Sequence, residues 1–203
     1  MMLTVTTLIV SWIIAIAVGV FSATHRNTLP DYGITVLQFI GLSVPSFLLA
    51  LVLMVFGQRS LGMDVGGLFS SQYQDAPWNW AKLMNLLEHL WIPVIVIGAS
   101  STAWLSRVMR GNLLDVLNMQ YVQTARAKGL VERRVIWKHA VRNALHPLVM
   151  VFGMSFPQII SGQTVISIVL NLPTAGPLFI NALLQQDMYL AGTFLLFQAM
   201  LLV

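Results

Sequence analysis

The 203 residues carry 11 Lys and Arg against 7 Asp and Glu, a net charge of +4, with 4 His and no Cys. Apolar residues make up 57% of the chain and charged ones 9%, with a mean hydropathy of +0.79, whereas a soluble domain carries about 25% charge. That balance excludes an ordinary soluble fold and predicts an all-α, polytopic bundle of membrane-spanning helices. The absence of Cys excludes a disulfide framework, a thiol nucleophile and a zinc site of the Cys type.

Leu3 to Ser22 is an uncharged run of about 20 residues, roughly 30 Å as a helix, which matches the hydrocarbon thickness of a bilayer. A cleaved signal peptide is the competing reading, but no basic region precedes the run, and it exceeds the usual apolar length of roughly 7 to 15 residues. Ala23 to Gly33 reads as a turn punctuated by Pro30, Asp31 and Gly33. Ile34 to Phe56 is a second span, expected to kink in Ser43-Val44-Pro45-Ser46, where Pro45 removes a backbone donor.

Gly57 to His89 is a long connection containing Gly62, Gly66, Gly67 and the corner Pro77-Trp78. Within it Trp80, Leu83, Met84, Leu87 and Trp91 recur at helical spacing. This suits either a helix lying in the membrane interface or one packed on the other spans. Leu90 to Ser106 is a third span with Pro93 in its first turn. Its small residues Gly98 to Ala103 allow close helix packing, and lining a pathway is the sharper alternative.

Beyond the basic loop after this span, Leu145 to Leu170 forms a fourth span carrying Gly153, Pro157 and Gly162. Asn171 to Met188 reads as a loop and a short helix. Tyr189 to Val203 begins a fifth span, whose length of about 15 residues falls short of the roughly 20 needed. The expectation is therefore a single membrane domain over residues 1–203, with about five spans and the last truncated.

Between 107 and 142, Arg107, Arg110, Arg126, Lys128, Arg133, Arg134, Lys138 and Arg142 face only Asp115 and Glu132, a local +6 in a chain of net +4. Apolar runs flank this cluster closely, so its setting is a membrane surface rather than nucleic acid. Such a loop is expected on the cytoplasmic side. Counting back places 57–89 outside, 23–33 inside and Met1 outside, and that outside start points to a preceding span absent from this sequence or to an internal start.

None of the five apolar runs contains Asp, Glu, Lys or Arg, which argues against a proton-coupled carrier or a voltage sensor. Sodium coupling through backbone carbonyls stays open. There is no G-x-x-x-x-G-K-[ST] phosphate loop, so ATP is not bound by that route. Ser100, Ser101 and Thr102 with the distant His146 form no catalytic dyad or triad. His139 and His146 lack a third metal ligand. No catalytic residue, cofactor or metal is expected.

Within the basic loop, Gln120 to Lys128 is rich in helix formers and ends at Gly129, the residue type that takes a left-handed cap; Leu130 to Leu145 then starts a second helix. Val131 and Val135 begin an apolar stripe that Lys138 and Arg142 continue, while Ile136, Ala140 and Ala144 offer a weak second face. With amphipathicity this poor, docking on a partner and lying on anionic lipid both remain open.

Tyr121-Val-Gln-Thr-Ala-Arg-Ala-Lys-Gly-Leu130, then Arg133-Arg134-Val135 and His139-Ala-Val-Arg-Asn-Ala-Leu-His-Pro147, closely resembles the cytoplasmic loop of the ABC-type importer permeases for dipeptides, oligopeptides and nickel. Ser43-Val-Pro-Ser-Phe47 resembles their I-P-S-F/W stretch, and Asn171-Leu-Pro173 with Gly176 resembles their F-x-L-P-G-x-G segment. Gln123 and Thr124 depart from the Glu and Ala of the general E-A-A-x-x-x-G motif, and His146 stands where an aliphatic residue is usual.

The resemblance implies a six-span bacterial inner-membrane permease, of which this sequence lacks the first span and the end of the last. Its partners would be ATPase subunits, a second permease and an external solute-binding protein. The loop 107–146 would be the coupling element, with Gln123, Thr124, Ala125, Arg126, Ala127, Lys128 and Gly129 as the motif that meets the ATPase, and Arg126 and Lys128 as its polar contacts. ATP-driven closure of the ATPase would move this helix as a lever, with Gly129 fixing its angle to the next helix. A passive channel or membrane scaffold is the alternative.

Overall fold

The computed structural model describes residues 2–62, 66–161 and 164–202, with the backbone alone at 61, 154–161 and 201–202. The fold is all-α, and no strand occurs among the described residues. Met1, Gly162 and Val203 lie outside the described residues, as do 63–65 of the long connection. By contacts the chain divides into two compact units: residues 1–8, 44–99 and 154–203 form one, 9–43 and 100–153 the other.

Helix α1, Met2–Thr24, is the expected first span and runs 23 residues. Only residues 25–28 remain as a turn, because α2 begins at Leu29 and ends at Ser43. Pro30 opens this helix rather than ending its predecessor. In a first turn, proline's missing N–H has no partner to lose and its φ already suits the helix.

The second apolar run is broken, not merely kinked. Helix α2 stops before Val44, and α3 restarts at Ser46–Leu61, with Pro45 extended at its N-cap (φ −58°, ψ 130°). Residues before proline avoid the helical region, so Val44 ends one helix as Pro45 starts the next. Gly62 closes α3 in the left-handed conformation at φ 62°.

Helix α4, Trp80–Leu117, is 38 residues long, about 57 Å at 1.5 Å per residue. It unites three segments that sequence patterning separates: the Trp80–Trp91 stretch, the third span and the start of the basic loop. The Trp80–Trp91 part is a packed helix, because Leu86 and Leu90 are buried in a core with Ala50, Val96, Ile166 and Leu170. Pro93 lies inside α4 without ending it.

Along the small-residue part of α4, Ser100 donates to the Gly41 carbonyl at 3.2 Å, and Gln38 donates to Ser106 Oγ at 2.9 Å. These residues pack helix on helix. Gly19 allows a still closer approach, since a Cβ there would stand 2.7 Å from Met109 Cβ and 2.8 Å from the Ser106 carbonyl. Small residues and interhelical hydrogen bonds are the means by which helices associate in lipid.

The remaining helices are α5 (Gln120–Ala127), α6 (Glu132–Arg134), a π-helix (Val135–Val141), α7 (Arg142–Ala144), α8 (His146–Ser161), α9 (Thr164–Val169), α10 (Ala175–Leu184) and α11 (Met188–Leu202). By length and composition α1 and α4 can each cross a membrane, and α2 with α3 qualifies as a third span if counted as one broken element. Large apolar side chains such as Ile9 and Ile13 on α1, Leu37 and Ile40 on α2, and Leu51 and Val52 on α3 are exposed. In water that would be a severe cost; facing hydrocarbon it is none.

Candidate functional site

The polar loop is built on a core of its own. Met109 and Leu113 of α4 are buried with Val122 and Ala125 of α5, Val135, Ala140 and Val141 of the π-helix, Ala144 and Leu148. Helix α5 therefore has one face held and one face free. Val122 and Ala125 point inward, while Gln120, Gln123, Thr124 and Ala127 are exposed. Those four positions, spaced three and four apart, lie on one side of the helix. Within the helix that face carries no charge, and exposed Lys128 adjoins it at the C-cap.

Both ends of α5 are fixed. At the start, the Met119 carbonyl accepts from the Val122 and Gln123 amides at 3.0 and 3.2 Å. At the end, the Gly129 amide donates to the Arg126 carbonyl at 2.9 Å and the Leu130 amide to the Ala125 carbonyl at 3.4 Å, with Gly129 at φ 73°. This is a Schellman cap, in which a left-handed residue satisfies carbonyls the helix leaves open. Lys128 ends the helix, exposed, just before the glycine.

Each motif residue has a definite place. Gln123 Nε2 donates to the Leu117 carbonyl at 3.2 Å, and Thr124 Oγ1 donates to the Gln120 carbonyl at 2.8 Å. Ala125 is buried, so it serves packing. Arg126 is committed within the chain: Nη2 lies 2.7 Å from Glu132 Oε1, Nε donates to both Glu132 oxygens at 3.2 and 3.1 Å, and Nη1 reaches the Leu117 carbonyl at 3.4 Å. The hydrogen bonds from Arg126 hold the Glu132 carboxyl below its ordinary range, and Glu132 raises Arg126 in turn. A third tie joins α5 to α7, where Asn143 Nδ2 donates to Tyr121 Oη at 2.7 Å.

The π-helix explains the poor amphipathicity of the sequence. Read at 3.6 residues per turn, Lys138 and Arg142 continue the stripe of Val135. With the wider π turn, Ala140 comes after Val135 on the buried side, and Lys138 is turned outward. A π-bulge inserts one residue and shifts the face presented by every later residue of the helix. The weak second face seen in the sequence, Ala140 and Ala144, is buried.

Two of the eight cations of the basic loop belong to the helix bundle. Arg110 on α4 makes a bidentate pair with Asp31, Nη2 to Oδ2 at 2.7 Å and Nε to Oδ1 at 3.0 Å, and its Nε also reaches Ser22 Oγ at 3.0 Å. Ser22 donates to Asp31, and the Asn27 amide donates to Oδ2 at 3.0 Å. Arg107 lies over the Phe39 ring, 4.7 Å from its centroid. Sequence spacing gives no hint of these pairings, because Asp31 and Arg110 are 79 positions apart.

Lys82 was also hidden. It is 6% exposed, donates from Nζ to the Gln74 and Ala76 carbonyls at 3.2 and 2.6 Å, and sits over the rings of Phe69 and Trp78. Nearby, Asn85 holds Ser70 through its amide and hydroxyl at 3.0 and 2.9 Å. These contacts anchor the long connection to α4.

The sequence that builds this loop and its helices is matched by known proteins. Residues 15–203 match the family described as binding-protein-dependent transport system inner membrane component. The chain belongs to that family. It is 37% identical over 180 residues to the oligopeptide transport system permease protein AppB of Bacillus subtilis, covering 88% of this chain and 55% of that protein. To OppB of Salmonella typhimurium, described in the same words, it is 34% identical over 176 residues, 86% of this chain and 53% of the relative. OppB of Escherichia coli gives the same identity and coverage. The chain thus spans about half the length of these curated relatives. The family is one of inner-membrane transport components, and the resemblance to importer permeases is borne out at the level of the family.

Proposed function

We propose that this chain is the membrane permease part of an ATP-driven importer and that α5 is the element through which a separate ATPase drives it. One observation carries the reading. A helix of 8 residues is welded by Val122 and Ala125 to the core around α4, locked at its exit by the Gly129 cap and the Arg126–Glu132 fork, and left with one uncharged exposed face. A rigid element with a free face can transmit displacement to the helix behind it; a floppy loop would absorb it.

In this reading the loop 107–146 faces the cytoplasm, and Gln120, Gln123, Thr124 and Ala127 meet the ATPase. Arg126 acts from within the loop as a brace. A second permease and an external solute-binding protein complete the assembly, and the solute is a peptide, as the names of the relatives suggest.

These 203 residues hold no Cys, so a cysteine introduced among them has no native thiol near it in the sequence. Gln123→Cys in the full-length protein should cross-link to the co-expressed ATPase, whereas Ala125→Cys, buried, should not. Equal labelling of both, or peptide uptake that persists without the ATPase, would overturn the proposal in favour of a passive channel or scaffold.

A further inference from the structure

Opposite the buried face of the π-helix lies a shallow cavity of about 490 Å³ lined by Val131, Arg133, Arg134, Trp137 and Lys138. We infer that this cavity is a binding site for the headgroup of an anionic phospholipid, separate from the α5 face.

Its charge is uncompensated. Three of the five lining residues are cations and none is acidic. The nearest acid in sequence, Glu132, is taken by Arg126. Among the described residues the salt bridges are Arg110–Asp31 and Arg126–Glu132, so Arg133, Arg134 and Lys138 enter none. The Arg126–Glu132 fork thus has a second effect, since it engages the carboxylate nearest to the cavity in sequence.

Its apolar part has the chemistry of the membrane boundary. Trp137 is 53% exposed and Val131 73% exposed, although the same segment buries Val135, Ala140 and Val141 completely or nearly so. An exposed indole among cations is costly in water but favoured at the headgroup level, where tryptophan and snorkelling basic chains concentrate. Only a few residues further on, His146 begins the apolar helix α8, which keeps the cavity near the bilayer.

The π-helix makes the arrangement possible. By turning Lys138 outward beside Trp137 and the two arginines, it collects the phosphate-binding groups on one side and the core-forming groups on the other. A phosphodiester would be held by the Arg133 and Arg134 guanidiniums and the Lys138 ammonium, with the glycerol backbone against Trp137 and Val131. A protein partner of matching acidity is the competing occupant. The exposed apolar pair and the proximity of α8 favour lipid.

The test uses the full-length chain purified in mixed micelles containing equal amounts of phosphatidylglycerol and phosphatidylcholine, with retained lipid counted by native mass spectrometry. The wild type should retain phosphatidylglycerol preferentially, and the preference should fall as salt is raised. Removing cations as R133Q, R134Q and K138Q should reduce it about fivefold for each charge lost, while R133K/R134K/K138R should keep it. Trp137→Ala should weaken retention of both lipids.

A wild-type preference that is absent or insensitive to salt would overturn the inference, whatever the folding of the variants. Displacement by inorganic phosphate at equal concentration would assign the cavity to soluble anions instead. Unchanged lipid retention in the triple Gln variant, with loss of ATPase co-purification, would assign it to the protein partner.

Discussion

Arg126 and Glu132 close on each other across the Gly129 turn, Nη2 to Oε1 at 2.7 Å, so that the helix before the glycine and the segment after it are tied by side chains as well as by backbone. The pair is substantially exposed, and exposed pairs contribute at most about 1 kcal/mol. Arg126→Gln should therefore leave thermal stability nearly unchanged and instead loosen the angle between α5 and the π-helix. Spin labels on α5 and on the π-helix should report a broader distance distribution in the variant; an unchanged distribution would remove the fork from any role in transmission.

The pH response of this pair has a defined sign. Arg126 depresses the folded pKa of Glu132, so the fork's contribution is complete above the ordinary glutamate pKa and disappears only as pH falls through the lowered value. Titration near neutrality should leave it intact. Carboxyl NMR of labelled Glu132 should show its midpoint rising in Arg126→Gln, and identical midpoints would mean that the fork does not persist in solution.

Gly129 sits at φ 73° with nothing within 4 Å of the place a Cβ would occupy. Substitutions there meet backbone strain alone, about 1–2 kcal/mol for an L-residue. Asparagine tolerates this conformation and β-branched residues do not. Under the proposed function, Gly129→Asn should keep most uptake and Gly129→Val should lose most of it, both with normal membrane insertion. A graded loss that instead tracks side-chain volume would point to a steric contact with a partner.

How far the sequence discloses this structure depends on the range of the interaction. The apolar runs, the α5 helix and the left-handed Gly129 are set by local patterning, because each is decided within a few residues. The extent of α4 is not, since Pro93 reads as a first-turn residue and the cations after Ser106 read as loop. The outward face of Lys138 is hidden for a related reason, as a 3.6-residue period cannot describe a π turn. Arg110, counted with the basic loop, is held by Asp31 at 79 positions' distance, and Lys82, inside the 57–89 connection, by carbonyls of an irregular segment that no helical spacing relates to it.

Asp31 is 2% exposed and Arg110 27%, which makes their pair the most deeply set ionic contact of the described residues. Asp31→Asn leaves the guanidinium without its counter-ion, and breaking a buried pair from one side costs about 3–5 kcal/mol. Partial exposure of Arg110 places the expected value at the lower end. Asp31→Leu/Arg110→Met, which removes both charges, should recover much of the loss in thermal unfolding in detergent. If the double variant is no more stable than the single one, Arg110 is held by something other than Asp31.

Gly19 offers a prediction about helix packing free of charge effects. A methyl group there would stand 2.7 Å from Met109 Cβ and 2.8 Å from the Ser106 carbonyl, and backbone carbonyls cannot swing aside as side chains do. Helix propensity alone would favour alanine by about 1 kcal/mol, so the two effects oppose each other. Overpacking of a tight contact costs about 1–3 kcal/mol, and a separation of α1 from α4 would also disturb the core that supports α5. Gly19→Ala should therefore lower the unfolding midpoint, and Met109→Ala in the same chain should not restore it, because alanine keeps the Cβ at 2.7 Å and the Ser106 carbonyl remains. An unfolding midpoint raised by Gly19→Ala would show that α1 does not approach α4 this closely.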